Sequence, residues 1–220
     1  MVDFRDLDNA TRAKQLGNPE GEIGIAVADF MNVSNAKVSE AAFRRLAPRA
    51  KERVLEIGFG NGKLLPGLLA LAPGLRYAGL DISETMVNAA RANNRAAVEA
   101  GEAEFILGAC ERMPFEDQSF ERAVTVNTIY FWPEPTVCLA ELKRVLKPGG
   151  SLVVASMNRA TAERYPFTVH GFRIYDEDEL KAFYARVGLR DVSIELYRET
   201  VPTARGATIE REYFLTLGRA

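Results

Sequence analysis

The 220-residue sequence predicts an α/β fold built on a mostly parallel sheet. Three observations carry that expectation. Strand-like and helix-like runs alternate along the chain. A glycine-rich turn joins the first strand-like run to a helix-like one. The last two strand-like runs form a hairpin-like pair, which puts one antiparallel strand into an otherwise parallel sheet.

Each element has its own signal. Residues 1–21 read as irregular or weakly helical. Over residues 22–47, Ile25, Ala28, Phe30, Val33, Val38, Ala42, Phe43 and Leu46 recur at helical spacing, and Pro48 ends the run. "RVLEIG" is the first strand. "KLLPGLLALA" is a helix that tolerates Pro66 only near its first turn. "RYAGLDI" is the second strand. Ser83 caps the next helix, which is expected to run to about Glu99, with Glu84 at its positive end. "AEFILGA" and "RAVTVNT" are the third and fourth strands. "PTVCLAELKRVLK" is a helix closed by "PGG", and "SLVVASM" is the fifth strand. "DEDELKAFYARVG" is a helix with Asp176 and Glu179 in capping-box spacing and Gly188 as its stop. "DVSIELYRE" and "REYFLTLG" complete seven strands.

Composition removes several classes of function. Hydrophobic residues make up 47% of the chain, enough for one full core. The net charge of -2, with basic residues spread along the chain, gives no field for nucleic acid. No run of about 18 apolar residues is present and the N-terminus has no apolar signal core, so no membrane insertion and a cytoplasmic location are expected. Cys110 and Cys138 stand apart without metal-ligand spacing, and His170 is the only histidine, so no metal is expected. Cys110 reads as a small buried residue whose chemistry need not matter.

"VLEIGFGNGK", Val54 to Lys63, is the most informative stretch. Glycines at 58, 60 and 62 admit backbone angles or close neighbours that a Cβ would exclude. A glycine turn between strand and helix offers backbone N–H groups at the carboxyl edge of a sheet. The spacing G-F-G-N-G differs from the dinucleotide pattern G-x-G-x-x-G. Glu56 precedes the first glycine by two residues, where it would repel a pyrophosphate and favour a cation. Asp81, ending the second strand, stands where a carboxylate holds a ribose diol. A ribose, a nearby positive charge and a small anionic group together describe S-adenosylmethionine.

"VLEIGFGNGK", "GLDIS" with Met86 beyond it, "LGACERMPFEDQSFERAV" and "AELKRVLKPGGSLVVA" resemble, in order and spacing, the class I S-adenosylmethionine-dependent methyltransferases. They are most similar to the type 11 branch that includes the ubiquinone/menaquinone C-methyltransferases. The resemblance covers about residues 50–160 strongly. It implies a Rossmann-like seven-stranded sheet with the last strand antiparallel and helices on both faces. It also implies roles: Glu56 near the methionine amino group, Gly58, Gly60 and Gly62 letting the loop approach the cofactor, Asp81 on the ribose hydroxyls, and Ile82 and Met86 on the adenine. Many relatives have Gly-Asp-Ala where this chain has Gly108-Ala109-Cys110, so the backbone of Cys110 and the side chain of Glu111 take over the adenine contact. Asn127 would sit beside the methyl.

After the fourth strand, "NTIYFWPEP" brings Tyr130, Phe131 and Trp132 to the ligand edge as candidate walls for the acceptor, with core packing as the competing role. His170 and Tyr130 are the weak candidates for a catalytic group. The expected architecture is one methyltransferase domain over 1–220. Residues 1–48 would form a helical lid, with "VADFMNVSNAK" over the site, and 49–220 the cofactor-binding core, with "RYPFTVHGFRIY" at the acceptor pocket. The reaction expected is in-line methyl transfer to a small-molecule acceptor, leaving S-adenosylhomocysteine. A second copy of the chain, as a homodimer, stays open as a partner. The rival readings are an NAD-dependent oxidoreductase and a non-catalytic S-adenosylmethionine-binding protein.

Overall fold

The computed structural model describes residues 4–202 and 208–220. Seven strands form one sheet: β1 (Arg53–Ile57), β2 (Arg76–Asp81), β3 (Ala103–Leu107), β4 (Phe120–Val126), β5 (Leu146–Met157), β6 (Arg190–Pro202) and β7 (Thr208–Arg219). Their order is β3-β2-β1-β4-β5-β7-β6. Only β7 is antiparallel to its neighbours, pairing Met157 with Tyr213 and Glu199 with Arg211. The expected Rossmann-like sheet with helices around it is therefore present. Sheet order reverses between β1 and β4, and the crevice beyond the carboxyl ends of those strands is where such sheets bind ligands.

The helices are α1 (Asn9–Gly17), α2 (Gly21–Leu46), α3 (Leu65–Leu69), α4 (Glu84–Asn93), α5 (Arg95–Glu99), α6 (Pro135–Val145), α7 (Arg159–Ala162) and α8 (Glu177–Arg186). Ser83 accepts from the Met86 N–H and caps α4, and the Asp176–Glu179 capping box opens α8. The helix expected to reach Glu99 unbroken divides at Asn94. The Asn94 amide donates to the Gly62 carbonyl in the loop after β1, and its backbone leaves the helical region there. The N-terminal stretch is more regular than expected, because Asp8 caps α1 through the Thr11 N–H. The strand β5 begins at Leu146 and takes in the "PGG" expected as a helix stop.

Val54, Leu55, Ala78, Leu80, Ala123, Val124 and Leu152 to Ala155 are buried along the central strands. Strands buried on both faces read as continuous apolar runs, which is why these segments do not alternate. The helix α2 crosses β4, β5, β6 and β7, and α6 and α8 pack on each other. No helix among the described residues is long and apolar enough to cross a membrane.

Candidate functional site

A cavity of about 820 Å³ opens at the carboxyl ends of β1, β2 and β4, with α1 and α2 forming one wall. The loop after β1 shapes its floor. Gly58 and Gly62 both have φ of +70°. A Cβ on Gly58 would stand 2.3 Å from Thr128 Cγ2, and one on Gly62 2.8 Å from the Ala90 Cβ. At these two positions the close neighbour is the protein's own chain beyond β4 and on α4. Gly60 faces open space, and its N–H donates to Asp81 Oδ2 at 3.2 Å.

Two buried carboxylates flank that loop. Glu56 on β1 accepts from the Tyr77 hydroxyl at 2.7 Å. Burial pushes its carboxyl up to about 7; the Tyr77 hydrogen bond opposes this and the neighbouring Asp81 adds to it. Asp81 also accepts from the Ser83 N–H at 2.9 Å, and burial pushes it up to about 6 despite its backbone donors. Among the described residues neither carboxylate has an ion-pair partner. Ile82, half exposed, and Met86, fully buried, line the cavity beside them.

Gly108, Ala109, Cys110 and Glu111 line the cavity after β3, held by the Gly108 N–H donating to the Asp81 carbonyl. Here the structure corrects the reading of the cysteines. Cys110 is joined to Cys138 of α6 by a disulfide, with the Cα atoms 5.1 Å apart. The cause is tertiary: the Met113 N–H donates to Glu141, and Arg144 donates to the Met113 and Phe115 carbonyls, so the loop lies along α6. Glu111 adds its carboxylate beside the two sulfurs. Sulfurs bonded to each other provide no thiolate, so the cluster lacks a metal's donor set in this form.

Asn127 follows β4 with φ of +59°, an uncommon angle for a residue with a side chain. Its N–H donates to the Ala155 carbonyl, and its Oδ1 accepts from the Tyr130 hydroxyl at 2.9 Å. The Tyr130 hydroxyl also accepts from the Met157 N–H. Tyr130 is buried, and burial raises its phenol well above the ordinary value. It therefore stays protonated and holds Asn127 in place, which does not suit a general base. Tyr130 and Trp132 belong to the buried core while lining the cavity; Phe131 is half-buried and stacks edge-on with Phe172. His170 ends a 3-10 turn at Pro166–Val169, is exposed, and is not among the cavity-lining residues.

Other lining groups were not singled out one by one, although Phe30 falls in the stretch expected as lid and Phe167 and Phe172 in the stretch expected at the acceptor pocket. Asn61 is buried between the loop and α2, donating to Asp29 and accepting from Asn32, both at 2.8 Å. Phe4, Phe30, Phe167 and Phe172 add aromatic surface, and Arg211 of β7 lines the wall. These residues come from distant parts of the chain and share no local pattern. The glycine loop was found because its residues are contiguous.

Residues 55–154 match the family model described as a methyltransferase domain. A ubiquinone/menaquinone biosynthesis C-methyltransferase of Dinoroseobacter shibae is 37% identical over 120 residues, covering 52% of this chain and 46% of that protein. An O-methyltransferase of Aspergillus nomiae is 23% identical over 179 residues, covering 78% and 79%. The chain spans about half the length of several other curated relatives. Among solved structures, a putative methyltransferase in complex with the Haloferax volcanii activator Trm112 superposes with a TM-score of 0.70 at 21% identity, over 88% of this chain and 93% of that one. At that identity the likeness speaks for the fold.

Proposed function

We propose that this chain is a class I S-adenosylmethionine-dependent methyltransferase and transfers a methyl group to a small-molecule acceptor, a reading supported by the match of residues 55–154 to a methyltransferase domain. One observation carries the reading: two buried carboxylates with no ion-pair partner among the described residues, Glu56 and Asp81, stand on either side of a glycine loop at the sheet's switch point. A buried unpaired carboxylate is costly, and a cationic ligand with hydroxyls to donate removes that cost. S-adenosylmethionine fits this donor set, and a dinucleotide with its pyrophosphate does not.

When bound, the cofactor supplies a methyl activated by a sulfonium. The chain's task is then to hold and orient. Asp81 would accept from the ribose hydroxyls, and Glu56 would face the amino group. Ile82 and Met86 would pack on the adenine, and the loop at Cys110 and Glu111 would border it. Asn127, fixed by Tyr130, would border the transferring group. Alignment of donor and acceptor in a dry cavity contributes much of the rate without a general base. The helix α2 would serve as lid through its contacts with Asn61 and through the Lys63–Asp29 ion pair of 2.7 Å. The one-domain division of the chain, with residues 1–48 as that lid, belongs to this proposal, as does an acceptor that is a small molecule.

Isothermal titration with S-adenosylhomocysteine tests the reading. Binding should be clear and should weaken by about two orders of magnitude in Asp81→Ala, which removes two charge-assisted hydrogen bonds of about 1.5–3 kcal/mol each. Stronger binding of a nicotinamide dinucleotide than of S-adenosylhomocysteine would hand the site to an oxidoreductase.

A further inference from the structure

Glu56 has one carboxylate oxygen committed and one open. Its Oε2 accepts from the Tyr77 hydroxyl at 2.7 Å. Its Oε1 takes no hydrogen bond among the described residues and is not one of their buried unpartnered atoms, so it keeps some access. Glu56 lines the cavity, and that oxygen is the one a ligand can meet.

The division follows from strand geometry. Residues 77, 79 and 81 share one face of β2, and Glu56 stands opposite Gly79 in the parallel pairing with β1. The Tyr77 phenol reaches Glu56 across Gly79. A Cβ at 79 would stand 2.9 Å from the Tyr77 hydroxyl oxygen and 2.4 Å from Phe59 Cδ1. The ring itself is held by packing: it is buried beside Phe105, with centroids 5.6 Å apart, and Phe59 packs on Phe105 at 5.0 Å. A phenylalanine would fill that space without bringing a polar group into the core, so the hydroxyl has its use at Glu56.

Burial and the neighbouring Asp81 both favour the neutral form of Glu56, and the Tyr77 hydrogen bond opposes them. On the other flank β4 sets Val124 beside Glu56, and α2 brings Asn35 and Ser39 to the cavity lining; none of the three titrates. Burial holds the Tyr77 phenol well above its ordinary value, so it stays a donor through the neutral range.

We propose that Tyr77 is a positioning residue for the cofactor's cationic amino group: its hydroxyl pins Oε2 of Glu56 and thereby presents an ionised Oε1 to the cavity. The proposal rests on the methyltransferase reading of the site.

The test titrates S-adenosylhomocysteine into wild type and Tyr77→Phe at pH 6 and pH 8.5. The ligand's own titration cancels in the ratio of the two affinities. A hydrogen bond to a charged group shifts a protonation equilibrium by about 10- to 100-fold. Tyr77→Phe should therefore weaken binding by about tenfold or more at pH 6, and by less than about fivefold at pH 8.5, where less of Glu56 is protonated. A purely structural role would lower affinity alike at both. In a Glu56→Gln background the same change should give one ratio at both pH values. Should Tyr77→Phe not fold, 3-fluorotyrosine incorporated at Tyr77 decides the matter. It strengthens the donor in nearly the same volume, so binding should tighten by about twofold at pH 6 and stay level at pH 8.5. Melting temperature is followed throughout. Failure of S-adenosylhomocysteine to bind wild type at either pH would overturn the cofactor reading, and the proposal with it. With that binding intact, an equal loss at both pH values or no loss in Tyr77→Phe, an unchanged profile with 3-fluorotyrosine, or a pH-dependent loss that persists in Glu56→Gln would overturn the role of Tyr77 alone.

Discussion

On the proposed reading, Glu56 should make the cofactor's affinity depend on pH in a direction that follows from its burial. Its carboxyl titrates at about 7 in the ligand-free protein because burial disfavours the charge. A cationic amino group beside it requires the ionised form, so binding expels a proton below pH 7. Each pH unit below 7 should then weaken S-adenosylhomocysteine binding by up to about tenfold, or about 1.4 kcal/mol. Asp81, pushed to about 6, steepens the loss further below pH 6. Stability of the free protein should move the opposite way. The folded value lies above the unfolded one, so the native state binds more protons between pH 4.5 and 7, and stability falls as pH rises through that window. The two trends can be separated by calorimetric titration at pH 5 to 7.5 and by denaturant melts of the free protein over the same range. Glu56→Gln should flatten the affinity profile above pH 6 and remove its share of the stability slope. An affinity that stays level from pH 5 to 7.5 in the wild type, or a slope above pH 6 that survives in Glu56→Gln, would refute the pairing of Glu56 with a cation.

Two further outcomes follow from the geometry. Tyr130→Phe keeps the ring in the core but leaves the Met157 N–H and Asn127 Oδ1 without their partner, so denaturant melts should show a loss of about 1–3 kcal/mol, with turnover falling while S-adenosylhomocysteine affinity stays near wild type. The disulfide closes a loop with a sequence separation of 28, so Cys138→Ala should lower unfolding stability by up to about 3.5 kcal/mol by the chain-entropy relation; a change under about 0.5 kcal/mol would mean that the loop is held by α6 without the bond.

The alternation of apolar runs and the hairpin-like end were enough to derive the sheet, because strands buried on both faces and capped helices are specified by neighbouring residues. The glycine loop, Glu56 and Asp81 were legible for the same reason: a strand, a turn and the acids at strand ends lie within a few residues of one another, and the backbone geometry that brings them together is local. The break at Asn94 was not, since it depends on a hydrogen bond to Gly62, 32 residues earlier. Only the tertiary structure joined Cys110 to Cys138, because the loop after β3 comes to lie along a helix that follows β4. It set His170 outside the residues lining the cavity, and only it showed that Tyr130 spends its hydroxyl on Asn127 and Met157. The part that the β6–β7 hairpin adds to the far wall of the cavity was equally hidden. Ser34, Glu199 and Arg211 are brought together by a helix crossing a hairpin at the other end of the chain, and contacts across 177 residues leave no periodicity in a sequence.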